Sequence, residues 1–214
     1  MESPLLTSNE FWLGFFKEKK MTELNFIKIT QSKAMPIAES LDLTDEAKAL
    51  LSDKITPAQF VQSLIDKTLY TDTIMFLAAG LSKRESTWWA CLCARSVLTD
   101  KSSDADAEAI ALAEAWVYKP TQENCRLTLA AAEVTGFKTA AGWSAMAAFW
   151  SGENISPVED AVVPPPADLT GKAVNGAVLL AAVQADPKKV TEYQQLFINI
   201  AIDIASGGDG RSVK

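Results

Sequence analysis

The sequence contains no histidine. Histidine is the usual general base at neutral pH, the partner of serine and cysteine nucleophiles, and the commonest metal ligand. Cysteine is also scarce: Cys91, Cys93 and Cys125 are too few for a tetrahedral zinc site, and none of them forms a CxxC pair. We therefore expect no bound metal, no cofactor and no dithiol chemistry, and we predict that the three thiols are buried in a helical core.

Basic residues and long apolar runs are scarce as well. Lys and Arg number 20 against 27 Asp and Glu, which gives a net charge of −7 and argues against a nucleic-acid partner. No apolar run approaches the roughly 18 residues that a membrane span needs. The N-terminus also lacks the basic residues of a secretory signal. We expect a cytoplasmic protein, and the 48% hydrophobic content is sufficient for a folded core.

The remaining sequence is dominated by helical patterns. Capping residues such as Thr56 and Ser82 precede apolar residues at helical spacing, and glycine or proline ends most of these segments. We predict an all-α fold, with about nine helices in a compact irregular bundle or stack. Residues 1–20 are predicted to be an amphipathic N-terminal extension, and residues 21–214 a single helical domain.

Residues 151–168 interrupt the helical pattern. Pro157 and the run Pro164, Pro165 and Pro166 disfavour helix and favour a stiff extended connector, which we call the strap. Its acidic residue Glu153 is of a type that is common in loops. An extended proline-rich segment beside aromatic helices can also serve as a preordered binding edge.

The most distinctive segment is residues 83–95, which lies within a helix predicted from Ser82 to about Leu98. At about 100° per residue, Arg84, Trp88, Cys91 and Arg95 share one face. One interpretation is a binding site for a carboxylate, with a guanidinium stacked on the indole. The other is an internal salt bridge from Arg95 that clamps neighbouring helices. The candidate acidic partners for that bridge are Glu85, Glu108 and Glu114.

Several short motifs resemble those of an uncharacterised bacterial family, a domain of unknown function whose members are sometimes labelled twin-arginine signal proteins. The motifs are RExxWWA at 84–90, AWV at 115–117, AFWSG at 148–152, VPPP at 163–166 and AVNGAV at 173–178. Members tend to be encoded beside type VI secretion components, which implies an accessory or cargo-handling role. The family has no established catalytic residues. This chain departs from it by having Glu153 and Asn154 after FWSG, and it has no Arg-Arg pair.

Our leading hypothesis is a non-enzymatic chaperone or adaptor for type VI secretion cargo, whose partner is a secretion effector or spike component. One alternative is an immunity protein that neutralises a basic toxin with its acidic surface. Another is an enzyme, which would need a solvent-open pocket that combines Arg84 or Arg95 with two carboxylates. The predicted binding residues are Arg84, Trp88, Arg95, Trp150, Glu153, Pro164, Pro165 and Pro166.

Overall fold

The computed structural model describes residues 24–156 and 161–213, and within them the chain is helical without a strand. This confirms the predicted all-α class. The ten helices of the described residues are α1 Met35–Ala38, α2 Asp45–Lys48, α3 Pro57–Asp66, α4 Tyr70–Gly80, α5 Lys83–Ser96, α6 Asp104–Tyr118, α7 Gln122–Val134, α8 Ala140–Ser151, α9 Leu169–Ala185 and α10 Val190–Ala205. The predicted N-terminal extension, residues 1–20, lies outside the described residues.

Hydroxyl side chains begin most of these helices. A serine or threonine at the N-cap accepts a hydrogen bond from a backbone N–H in the first turn, which satisfies a donor that the helix itself cannot pair. The six caps are Thr44, Thr56, Ser82, Ser103, Thr121 and Thr139. These caps explain why the starts of α2, α3 and α5 to α8 can be predicted from the sequence.

Helix α8 lies at the centre of the bundle and packs on α5, α6, α7 and α9. Its buried residues are mostly alanine, and α9 likewise buries alanines against it. Small side chains let helix axes approach closely, so the two helices form the densest contact of the fold. Helices α4 and α10 pack on α9 and on each other.

Buried aromatic residues fill the space around these small side chains. Trp89 is fully buried, and its Nε1 atom donates a hydrogen bond of 2.8 Å to the carbonyl oxygen of Phe197. Phe60 and Phe76 meet edge to face at 4.9 Å between ring centres. The buried apolar residues form one continuous cluster, which also contains all three cysteines.

The segment before α1 is joined to the bundle by backbone bonds and by a salt bridge of 2.6 Å from Lys28 to Glu85 of α5. The N–H of Lys28 donates to the carbonyl oxygen of Ala205 at 3.0 Å, and Ile29 is buried beside it. The apolar stretch at residues 24–29 is therefore an extended lead-in and not a strand, as its isolation predicts. Across the described ranges, every helix is too short or too polar to cross a bilayer.

Candidate functional site

The strap leaves and rejoins the bundle at one place, where three helix ends meet. Thr170, in the first turn of α9, donates through Oγ1 to the carbonyl oxygen of Trp150 at 3.1 Å. Its hydroxyl also lies 3.2 Å from that of Ser151, which in turn lies 3.4 Å from the Thr87 hydroxyl of α5. Lys83 contacts the same Trp150 carbonyl at 3.5 Å. The end of α8 and the starts of α5 and α9 therefore form one polar junction below the strap.

Asn154 organises the two arms of the strap that the structure describes. Its Oδ1 atom accepts hydrogen bonds from the backbone N–H groups of Ser156 and Val163, each at 2.9 Å. Its Nδ2 atom donates to the carbonyl oxygen of Ala161 at 3.0 Å. A backbone bond of 2.9 Å from Ile155 to Val163 completes the set. One side chain thus fixes residues 152–156 against residues 161–163.

This arrangement holds apolar side chains in the solvent. Val162 is 77% exposed and Val163 is 47% exposed. Pro164 and Pro166 are also exposed, while Pro165 is partly covered. Exposed apolar residues grouped on an ordered backbone are typical of interaction sites. The strap combines the stiffness expected from its prolines with an apolar surface.

The first arm of the strap is anchored on α7. Gln122 donates through Nε2 to the carbonyl oxygen of Asn154 at 2.6 Å and accepts, through Oε1, from the N–H of Glu153 at 3.2 Å. The residue Glu153 is itself exposed to solvent. The roles of Gln122 and Asn154 cannot be predicted from the sequence, because an amide that bonds distant backbone groups leaves no local sequence pattern.

Trp150 lies where α8 passes into the strap. Its ring is partly buried and meets Trp143 edge to face at 6.2 Å between ring centres. The Nε1 atom of Trp143 donates a hydrogen bond of 3.0 Å to the carbonyl oxygen of Phe137. The structure therefore brings three kinds of predicted binding residue to this end of the bundle: Trp150, Glu153 and the proline run.

Arg84 and Trp88 lie near the same end, but both are engaged in internal contacts. Arg84 is exposed and donates through Nε to the carbonyl oxygen of Val117 at 2.7 Å. Trp88 is buried, and its Nε1 donates to the carbonyl oxygen of Asp209 at 2.8 Å. The guanidinium that stacks on this indole, 4.9 Å from the ring centre, belongs to Arg211. Neither Arg84 nor Arg95 makes that contact, because the C-terminal segment folds back onto α5.

Arg95 lies at the opposite end of α5, about 16 Å from Arg84 along the helix axis. It forms a bidentate salt bridge with Glu114 of α6, at 2.8 Å from Nε and 2.7 Å from Nη2. The hydrogen bond from Glu114 raises the pKa of Arg95 further above its ordinary value. The internal salt-bridge interpretation is confirmed with Glu114 as the partner. The structure does not bring Arg95 together with the strap.

An open cavity of about 380 Å³ lies beside the second arm of the strap, between α1, α4, α5 and α9. Its charged lining residues are Asp42, Lys83, Asp168 and Lys172. Lys172 and Asp168 pair at 2.6 Å, and this contact lowers the pKa of the Asp168 carboxyl. Neither Arg84 nor Arg95 lines the cavity, so it lacks the arginine that the enzyme hypothesis requires.

The three thiols are buried and unreactive at neutral pH. Burial raises the pKa of Cys91, Cys93 and Cys125, so each remains protonated at neutral pH. A protonated thiol is a poor nucleophile and a poor metal ligand. In the part of the chain that the structure describes, no group of acidic and cysteine side chains is arranged to hold a metal ion.

Comparison with known proteins identifies one family. The sequence model of Family of unknown function (DUF6931) matches residues 60–205, from within α3 to the end of α10. The match includes α5, the polar junction and the whole strap. No curated protein and no solved structure matches the chain.

Proposed function

The chain belongs to DUF6931, a family of unknown function, and we propose that it is a non-enzymatic accessory that binds another protein through the strap. In this proposal it is a cytoplasmic chaperone or adaptor that loads a secretion effector or spike component onto a type VI secretion machine. The secretion context rests on the motif resemblance alone, while the mode of binding rests on the geometry.

The observation that carries the proposal is the exposed apolar edge fixed by Asn154. Ordering a free loop costs about 1–2 kcal/mol of backbone entropy per residue. The hydrogen bonds of Asn154 to Ser156, Ala161 and Val163 impose that order before any partner arrives. A preordered segment keeps more of its contact energy as affinity. This supports a recognition role for the strap.

The chemistry of the strap also indicates what it would contact. Val162 and Val163 lead directly into the proline run, so the exposed edge is apolar and extended. Proline-rich extended segments bind in shallow apolar or aromatic grooves, with little further loss of entropy. The expected partner surface is such a groove on the secretion cargo or spike.

Capture from the native extract tests the proposal. The immobilised chain should retain a secretion effector or spike component, identified by mass spectrometry. Replacing Pro164, Pro165 and Pro166 together by alanine should abolish that capture with little change in melting temperature, because these residues are mostly exposed. Asn154→Ala should weaken capture by releasing the same edge. Val183→Ser is the control for a polar change outside the strap, since Val183 is 47% exposed, as is Val163 of the strap, but lies on α9.

The alternatives give different results. Recovery of a toxin in place of a secretion component would identify an immunity protein. Capture that survives both strap variants would disprove the strap as the binding element. A large loss of thermal stability in the triple variant would instead assign the proline run to the fold.

A further inference from the structure

Helix α7 carries an apolar face that the bundle leaves uncovered. Leu127 is 50% exposed and Val134 is 74% exposed, and Ala130 between them is exposed too. These positions follow the spacing i, i+3 and i+7, which places them along one side of a helix. The opposite side of α7 packs on α6 and α8 through residues such as Cys125 and Ala132. Uncovered apolar faces of this kind indicate a partner.

The charged residues beside this face are arranged with equal regularity. At about 100° per residue, Leu127 and Val134 lie about 60° and 40° to one side of Ala130. Arg126 and Glu133 lie about 40° and 60° to the other side, and both are exposed. Viewed from solvent, the part of α7 from Arg126 to Val134 therefore has a small residue at its centre, an apolar flank and a flank with opposite charges at its two ends, while Glu123 lies one turn before it.

We infer that this face binds the same face of a second copy of the chain, with the two α7 helices antiparallel around a two-fold axis at Ala130. Such an axis makes the two helices antiparallel. It also places the apolar flank of one copy beside the apolar flank of the other, and the charged flank beside the charged flank. Leu127 of one copy then faces Val134 of the other, and Arg126 faces Glu133. Each pairing is in register to within one residue, about 1.5 Å of rise.

The pattern is complementary to itself, which selects a second copy as the occupant. Each dimer would contain two Arg126–Glu133 pairs and two Leu127–Val134 contacts, all related by the axis. Alanine at the centre lets the helices approach closely. A single helix pair buries less surface than the roughly 1,600 Å² of a standard stable interface, so the expected dimer dissociates in the micromolar range.

The inference is independent of the proposed function, because it uses the solvent face of α7 and not the strap. Its test is a charge exchange measured by sedimentation equilibrium over a concentration series. The unmodified chain should dimerise. Arg126→Glu should place a carboxylate opposite each Glu133, so that two carboxylates face each other at both pairs. Glu133→Arg should likewise place two guanidinium groups opposite each other. Each variant alone should raise the dissociation constant by about tenfold or more.

An equimolar mixture of the two variants provides the decisive measurement. Arg126→Glu in one copy and Glu133→Arg in the other restore opposite charges at both pairs. Two variants that each dimerise more weakly than the unmodified chain should therefore form a heterodimer together. The same recovery should occur in the doubly substituted chain. Glu192→Arg is the control for Glu133→Arg, because it makes the same change of charge at an exposed position of α10.

Three results would overturn the inference. The unmodified chain could stay monomeric throughout the series, the two variants could dimerise as well as the unmodified chain, or the mixture could fail to associate. Circular dichroism of each variant establishes that it is folded. Recovery in the mixture would separately show that neither substitution acts by unfolding the chain.

Discussion

Gly152 lies so close to Cys125 that a Cβ atom added to the glycine would be 2.3 Å from the Sγ atom. Its φ of −69° is accessible to any residue, so space and not backbone conformation requires a glycine here. The thiol cannot easily turn away, because Cys125 is buried and donates to the carbonyl oxygen of Phe149 at 3.0 Å. The last residue of the AFWSG motif therefore sets how closely the beginning of the strap approaches α7.

Gly152→Ala should destabilise the chain by about 1–3 kcal/mol, because the new methyl group forces α8 and α7 apart. Cys125→Ala alone should cost about 1 kcal/mol for the lost sulfur contacts. The two changes together should cost less than their sum, since removal of the sulfur makes room for the methyl group. Urea denaturation of the four chains measures this coupling. Strict additivity would show that the contact does not limit stability.

Stability should fall in alkaline solution because of the buried thiols. In the unfolded chain each cysteine ionises near its ordinary pKa of 9.0, whereas burial raises the pKa in the folded chain. Above that pH the unfolded state releases protons that the folded state retains, so the free energy of unfolding decreases. The slope approaches about 1.4 kcal/mol per pH unit for each thiol.

A chain with Cys91, Cys93 and Cys125 all replaced by alanine isolates this effect from lysine and tyrosine ionisation. Its free energy of unfolding should decline less steeply than that of the unmodified chain between pH 9 and the folded pKa values, although its stability near neutral pH is lower. Identical slopes would contradict the pKa assignment. Native thiols should also resist alkylation until the chain is unfolded, since burial blocks access.

The C-terminal segment should loosen when its contact with Trp88 is removed. Trp88→Phe deletes the hydrogen bond to the carbonyl oxygen of Asp209 and weakens the stacking of Arg211, at an expected cost of about 1–2 kcal/mol. Hydrogen exchange should accelerate at the N–H of Gly210, which donates to Asp203 Oδ2 at 2.9 Å.

Trp143→Phe is the control for this prediction, because it removes a comparable indole hydrogen bond, to Phe137, away from the C-terminal segment. Exchange at Gly210 should then be unchanged. If both variants accelerate exchange at Gly210 equally, the effect is global loss of stability and not release of the segment.

The predictable part of this fold was the part governed by local chemistry. Hydroxyl caps such as Thr56 and Ser82 satisfy the first backbone donors of their own helices, so the sequence marks those helix starts. Helix α9 begins at Leu169 without a side-chain cap, so its start is not marked in the sequence in the same way. The four-residue helix α1 cannot be located from the sequence, because it has neither a capping side chain nor an extended apolar period.

The candidate site depended instead on contacts between distant residues. Arg95 could be paired with an acidic residue in advance because few carboxylates were available to it, and Glu114 was among them. The stack of Arg211 on Trp88 could not be predicted, since it joins residues that are far apart in the chain. The role of Asn154 cannot be predicted from the sequence, because an amide shows its partners only once both arms of the strap are in place.

Gln122 connects the strap directly to helix α7. It is the first residue of α7, and its amide bonds both Glu153 and Asn154. Two copies joined along α7 would hold their straps at a set spacing, so a partner with two matching grooves would meet the second strap at high effective concentration. Bivalent binding of this kind would raise the overall affinity without any new contact.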